Sequence, residues 1–410
     1  MRFPGGAETG YYHWQHPGVN GYEDFWEPAA ERAKIDPKVG RFQAVWVAPE
    51  KWAANTLFMS IDQYLAQCRA LGAEPIIGIN LSSGMKYRRH EDGVKEALEL
   101  IRHCRDSSSN VIYWYLDNEP WNQGITNYTF KGNEYATECA LYGEAIKKEF
   151  PNAKLIANPT TENADAGVIK SFLQIAGKFV DYIDVHWYWG WGTSSFDRWL
   201  DDPPSYGEAI HRIQTTCQDS GFPKMGVVVL EWNVAPSDWN VSFSPSLNAV
   251  IQGNLLLEFL NHGAELTCLW PLLWRTARDA WPEQDVFQSV VSSSPPYERT
   301  LSVEMFRMFS AVRGRKLVAC ESTAQNNLVS AAVDDPKAGT TTVFLVSRSP
   351  LRRRMTVEFE NATTGTGRLE SISVKDNKLL AQEGLLVRDG KLECFIEPYS
   401  LNALTVRLAR

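Results

Sequence analysis

The chain has 410 residues, 44% hydrophobic and 22% charged, the composition of a folded globular protein rather than a disordered one. Its 41 Lys/Arg against 49 Asp/Glu give a net charge of −8, which argues against nucleic acid as a partner. No apolar run approaches the roughly 18 residues of a membrane span, and no secretory signal precedes the first motif, so no membrane partner is expected and the location stays open.

In chain order, Arg2-Phe3-Pro4-Gly5-Gly6 reads as the end of a strand. Residues 60–70 place Ile61, Tyr64, Leu65 and Cys68 on one helical face and lead into an apolar strand over 73–80. The order then repeats. Helices over 93–105, 135–150, 166–177, 206–220 and 247–263 precede strands over 111–116, 154–158, 182–188, 226–232 and 266–273, and a last helix spans 300–312. Near-continuous apolar strands between helices are the pattern of parallel strands covered on both faces. No G-x-G-x-x-G accompanies them, so a (β/α)8 barrel fits better than a doubly wound sheet. After about residue 315 the texture changes to seven short strands, over 328–333, 341–347, 355–359, 369–374, 385–388, 392–396 and 403–408, which predict a C-terminal β-sandwich. The charge changes too: from Ala311 onward 15 Lys/Arg face 11 Asp/Glu, a net of +4, which leaves −12 on residues 1–310. The expected division is a catalytic barrel over 1–312 and a sandwich over 313–410.

Seven dispersed cysteines, with no C-x-x-C and no histidine cluster, carry no zinc or redox motif and read as free, buried thiols. Fifteen tryptophans are unusual. Trp14, Trp121, Trp187, Trp189, Trp191, Trp232, Trp239, Trp270 and Trp274 fall at or just beyond predicted strand ends. Core packing accounts for some of them, but that placement favours platforms on which sugar rings stack, with Trp121, Trp191 and Trp274 the chosen candidates. The four Asn-x-Ser/Thr sequons at Asn80, Asn127, Asn240 and Asn361 are weak evidence of anything, and Arg352-Arg353-Arg354 reads as a solvated strand edge.

In a barrel the chemistry sits at C-terminal strand ends. Two of these carry glutamates, in Asp117-Asn118-Glu119-Pro120-Trp121 and in Leu230-Glu231-Trp232-Asn233. Two facing carboxylates are the machinery of glycoside hydrolysis, one protonating the leaving oxygen and the other attacking or activating water. Asn80, at its own strand end, is a candidate for a sugar hydroxyl. His186 and Tyr188, two apart in a strand, point the same way.

Here a resemblance becomes specific. Asn118-Glu119-Pro120 and Leu230-Glu231-Trp232-Asn233 resemble the paired catalytic strands of clan A retaining glycoside hydrolases. Arg2-Phe3-Pro4-Gly5-Gly6 with Tyr11-Tyr12-His13-Trp14, Gly72-Ala73-Glu74-Pro75 and Asn80-Leu81-Ser82-Ser83-Gly84 resemble the family 51 α-L-arabinofuranosidases and the family 39 glycosidases, across roughly residues 1–275. Glu397-Pro398-Tyr399-Ser400 resembles the closing strand of their sandwich. There are departures: Asp117 and Pro120 stand where the arabinofuranosidases usually have Gly and Met, and Leu230 where they have Asp.

The resemblance implies that Glu119 is the general acid/base and Glu231 the nucleophile, with His186 and Tyr188 reaching the nucleophile. Arg2 is then placed to give Glu231 a charge-assisted bond, and Asn118 to donate to a sugar 2-hydroxyl. No metal or organic cofactor is implied, and the substrate class is a plant or algal polysaccharide or its oligosaccharides. A transglycosylase with the same residues and a non-catalytic sugar-binding protein are the rivals; the latter predicts loss of a carboxylate, and both are present. In the related families the Arg-Phe-Pro-Gly-Gly strand is the second of eight. On that register the first strand is missing here, and the chain is expected to be part of a longer protein or a late start. The alternative makes Arg2–Pro4 strand one and residues 41–47 strand two.

Overall fold

A computed structural model describes residues 1–18, 23–34, 58–107, 109–123, 126–190, 193–235, 243–272, 290–291, 298–323, 327–360 and 362–409. Seven parallel strands, β1 (Arg2–Phe3), β2 (Ile76–Ile79), β3 (Tyr113–Leu116), β4 (Lys154–Ala157), β5 (Tyr182–Trp189), β6 (Gly226–Val234) and β7 (Leu266–Leu269), are hydrogen-bonded in sequence order. They form a near-closed barrel wall. Arg2 pairs with Ile76 and Phe3 with Ile77, and the alternative register puts its second strand at 41–47. That segment itself lies outside the described residues.

The helices fall where the periodicity puts them. Ile61–Leu71 starts in a capping box between Ser60 and Gln63 and stops at Gly72, whose φ of 60° suits glycine. Ala166–Ala176 starts at Asp165, which accepts from Val168 N, and Pro245–Asn261 starts at Ser244 with Pro245 in its first turn. Two short helices, Ser82–Tyr87 and Phe196–Asp201, are not foreshadowed by the sequence pattern; each occupies less than two turns after a strand end.

Alternation along the strands divides two cores. Ile76, Tyr115, Ile156, Val228 and Leu230 fill the barrel interior, while Ile77, Trp114, Leu116, Leu155, Val227 and Val229 face the helices.

Eight antiparallel strands follow: β8 (Lys316–Val318), β9 (Leu328–Asp335), β10 (Thr340–Ser347), β11 (Arg353–Glu358), β12 (Thr364–Ser373), β13 (Lys378–Arg388), β14 (Lys391–Ile396) and β15 (Ser400–Ala409), in the order β11-β14-β13-β12-β15-β10-β9-β8. The sheet folds over so that Leu392 and Cys394 of β14 meet Ala332, Val343, Leu369, Leu404 and Val406 in a sandwich core. The extra strand relative to the seven expected is β8, too short to show alternation. The arginine run lies on the edge strand β11, where Arg352 and Arg354 pair with Glu397 and Glu393. The other layer packs on the barrel: Phe344, Val346, Ile372, Leu401 and Ala403 belong to the same core as Leu255, Phe259, Met305 and Phe309. All seven cysteines are free thiols.

Candidate active site

The C-terminal ends of β1, β3, β5 and β6 converge on two carboxylates. Glu119 follows β3 in a turn whose Asp117 and Glu119 both have positive φ, 63° and 43°. Glu231 lies inside β6, a strand buried along all nine residues. Both are almost fully buried, at 8% and 7% exposure, so their charges need partners.

Glu231 has three. Arg2 Nη1 donates to its Oε2 at 3.0 Å and Tyr188 Oη to its Oε1 at 2.6 Å, and His186 Nδ1 lies 3.6 Å from Oε2. Arg2 is held in turn by the Leu230 carbonyl, by Asn118 Oδ1 and by the Tyr115 ring, 4.4 Å below its guanidinium. Tyr115 sits where it does because β2 carries Gly78 opposite it: a Cβ there would come within 2.6 Å of the phenol. Donors from Arg2 and Tyr188 thus fix both oxygens of Glu231 in place.

Glu119 is held differently. Its Oε1 meets His186 Nδ1 at 2.8 Å and its Oε2 accepts from Asn122 Nδ2 at 2.7 Å. The far side of the imidazole, Nε2, meets Asp184 Oδ2 at 3.2 Å, and Asp184 Oδ1 accepts from Leu230 N at 2.8 Å. Burial pushes the Glu119 carboxyl up, but His186 and Asn122 outweigh it and hold it below the usual carboxylate range. Burial pushes His186 down, but Glu231, Asp184 and Glu119 outweigh it and raise the imidazolium to about 10. With Asp184 fixing a proton on Nε2, one further proton is shared between Nδ1 and Glu119. Glu119 and His186 thus form a carboxylate–imidazolium pair that holds the proton jointly.

The structure therefore brings Arg2, Asn118, Glu119, His186, Tyr188 and Glu231 together. Trp121 stands beside them, half-buried, with Nε1 donating to Asn158 Oδ1 at 3.2 Å. Asn80 is occupied elsewhere. Its amide donates to Ser83 Oγ and the Tyr12 carbonyl and its oxygen accepts from Ser83 N, so its bonds brace the helix Ser82–Tyr87 rather than reach the carboxylates. Trp191 and Trp274 lie outside the described residues, as does Trp239. The tryptophan argument is corrected on four of the others. Trp232 and Trp189 are core residues, Trp187 stacks on Tyr206 at 4.2 Å, and Trp14 packs on His103 at 4.7 Å.

Sequence reasoning passed over Asp184 and Asn122 and did not single out Trp270. Asp184 carries the signal of lying two residues before His186 in one strand. Trp270, just past β7, meets Tyr188 edge-on at 6.2 Å and was one of nine candidates with nothing to separate it from them. Among the described residues Glu119, His186 and Glu231 are also the group that could hold a metal ion, with one donor atom from each inside 4.8 Å of the others.

No protein-family model matches the chain. It is 23% identical to an intracellular exo-α-(1→5)-L-arabinofuranosidase of Streptomyces lividans, over 98% of this chain and 65% of that one. It is 26% identical to the α-L-arabinofuranosidase C of Emericella nidulans over 38% of this chain and 29% of that one. The chain thus spans less than two thirds of the length of either relative. Among solved structures, the α-L-arabinofuranosidase of Thermotoga maritima superposes with a TM-score of 0.71 at 17% identity, over 100% of this chain and 87% of that one. The GH51 α-L-arabinofuranosidase of Thermotoga petrophila gives 0.67 at 18% identity, over 98% and 86%. CelM2, a bifunctional glucanase-xylanase from a metagenome library, gives 0.67 at 13% identity, over 100% and 92%. The chain resembles the family 51 glycoside hydrolases of clan A. The barrel, the sandwich and the order of the strands are those of that fold.

Proposed function

We propose that the protein is a retaining O-glycoside hydrolase acting on plant or algal polysaccharides or their oligosaccharides. One observation carries this reading: the imidazole of His186 stands between two buried carboxylates at 2.8 and 3.6 Å, and oxygens of those carboxylates come within 4.8 Å of each other. Such closeness suits the roughly 5–5.5 Å carboxyl separation of retaining enzymes.

Glu231, held by Arg2 and Tyr188, attacks the anomeric carbon as the bond to the leaving oxygen breaks. The leaving oxygen takes its proton from Glu119, and the His186–Glu119 pair supplies it. Asn118, whose oxygen is engaged by Arg2, turns its amide nitrogen to the sugar 2-hydroxyl, a bond that strengthens in the transition state. In the second step Glu119 takes a proton from water, whose oxygen attacks the glycosyl-enzyme and frees Glu231. Trp121 and Trp270 flank the carboxylates as stacking surfaces.

The names of the relatives make aryl α-L-arabinofuranosides the first substrates to test, with xylan and β-glucan beside them. Glu231→Ala is expected to lower turnover by about 10⁴-fold or more, with partial recovery in azide and a glycosyl azide of inverted configuration as product. Full activity in Glu231→Ala, or absence of azide rescue on a substrate with a good leaving group, excludes Glu231 as nucleophile. Product analysis with a sugar acceptor separates hydrolysis from transglycosylation.

A further inference from the structure

We propose that Asp117 is a positioning residue for the acid/base: its carboxylate clamps the Asn118-Glu119 turn to the end of β2 and thereby holds Glu119 against His186 and Asn118 against Arg2. The inference deepens the hydrolase reading and rests on it for its catalytic consequence.

Three backbone N–H groups converge on Asp117. Its Oδ2 accepts from Leu81 N at 3.1 Å and Ser82 N at 2.7 Å, and its Oδ1 accepts from Asn118 N at 2.8 Å. Leu81 and Ser82 open the short helix Ser82–Tyr87, which has no side-chain cap of its own, so Asp117 caps it from the neighbouring strand. Gly10 closes the other side: a Cβ there would stand 3.0 Å from Ser82 Oγ and 3.3 Å from Asp117 Oδ1. The main chain of Asp117 continues the barrel ladder through its N–H to the Ile79 carbonyl at 2.9 Å. The side chain is 2% exposed.

This clamp sits at the one place where the turn needs it. Asp117 and Glu119 are both left-handed, at φ 63° and 43°. Asp tolerates that region through local hydrogen bonds; Glu does so rarely and persists there only when its surroundings over-determine it. A glycine at 117, as the resembled arabinofuranosidases usually have, satisfies the backbone at no steric cost. Asp accepts the strained φ and adds three bonds that a glycine lacks. A buried carboxylate that caps a helix, spans two strands and lies two residues from the acid/base fixes the orientation of that turn, since a displacement near 1 Å at such a group lowers rates strongly.

The competing account is that Asp117 merely occupies a left-handed position. Glycine separates the two, because it is the better residue for φ 63° and has no clamp. Asp117→Gly and Asp117→Asn are compared with the wild type on aryl glycosides of graded leaving-group ability. The clamp predicts that Asp117→Gly lowers kcat/KM for a poor leaving group by about tenfold or more while a dinitrophenyl glycoside, which needs little acid help, stays within about threefold. Asp117→Asn, which keeps an acceptor for Leu81 and Ser82, falls between. A loss of folded protein would lower both substrates equally.

A second measurement uses the substrate-free protein. The imidazole of His186 is followed by NMR from pH 5 to 11, and in Asp117→Gly its titration moves from about 10 toward its ordinary value as Glu119 loosens. Unchanged leaving-group dependence, or an unchanged His186 titration in a folded Asp117→Gly protein, overturns the proposal. If the wild type turns over no glycoside, the hydrolase reading fails, and the NMR comparison still decides whether Asp117 holds Glu119.

Discussion

His186 faces three carboxylates, and its two ring nitrogens do different work. Nε2 is committed to Asp184, so the proton on Nδ1 is the one exchanged with Glu119. The pair keeps one proton until the imidazolium titrates at about 10. In His186→Gln that reservoir is gone, and Glu119, still bonded to Asn122, no longer shares the imidazolium's proton. The alkaline limb of kcat/KM is therefore expected to move down from the region near 10 set by the imidazolium, measured between pH 4 and 11 on a substrate with a poor leaving group. An alkaline limb that does not move assigns the proton to some other group. The meeting of Glu119 and Glu231 was legible because each follows an apolar strand in a motif with few alternatives. The proton-sharing was not, since it depends on which carboxylates face His186, and nothing in a strand pattern states that.

Elements reach the site by tying loops to helices. His13, just after the turn Gly6–Gly10, is 2% exposed and lies between Glu96 on the helix His90–Asp106 and Asp24, with Nδ1 and Nε2 at 2.8 and 2.9 Å. Ser83 donates to the other oxygen of Asp24 at 2.7 Å. Burial lowers the His13 pKa, but Asp24 and Glu96 outweigh it and raise it to about 9. A group whose pKa is raised on folding contributes stability that is full below its unfolded value, near 6.5, and is lost as pH rises through 9. Unfolding free energy is thus expected to fall by about 1–3 kcal/mol between pH 6.5 and 9, and His13→Gln is expected to be less stable at pH 6 and to lose most of that slope. Urea unfolding at several pH values tests it; an identical slope in the variant rules the clip out. Helices and strands of this kind follow from apolar spacing, and their bounds agree with the sequence to within a few residues. Tryptophans do not sort so simply. A Trp at a strand end points either over the barrel mouth or back under the next helix, as Trp232 does against Phe259, and the strand pattern is the same in both cases.

At the scale of the whole molecule, the sandwich supports the active site through one helix. Pro245–Asn261 is buried on nearly every side, between the barrel and the sheet, and Gly253 lets Leu401 of β15 approach so closely that a Cβ would stand 2.7 Å from it. That all-round burial explains why the helix shows little amphipathic pattern: its polar residues are inside and bonded to neighbouring elements. Gln252 donates to Asn233 Oδ1 at 3.0 Å and accepts from Ser302, and Asn233 Nδ2 donates to the Trp270 carbonyl at 2.7 Å. The chain of contacts runs from the sheet, through this helix, to the residue two places after Glu231. Phe344 of β10 is fully buried and stacks on Phe309 at 4.5 Å with the rings 5° from parallel, so it anchors the sheet to the barrel. Phe344→Ala is expected to cost about 3–5 kcal/mol. Because barrel and sheet share one apolar core, the loss should lower a single unfolding transition, with the fall in catalytic activity and the loss of sheet signal coinciding on heating. At a temperature where the variant stays folded, kcat should match the wild type, since no catalytic group touches Phe344. A sheet that melts first while turnover persists would make the two domains independent and remove the sandwich from the support of Asn233 and Trp270.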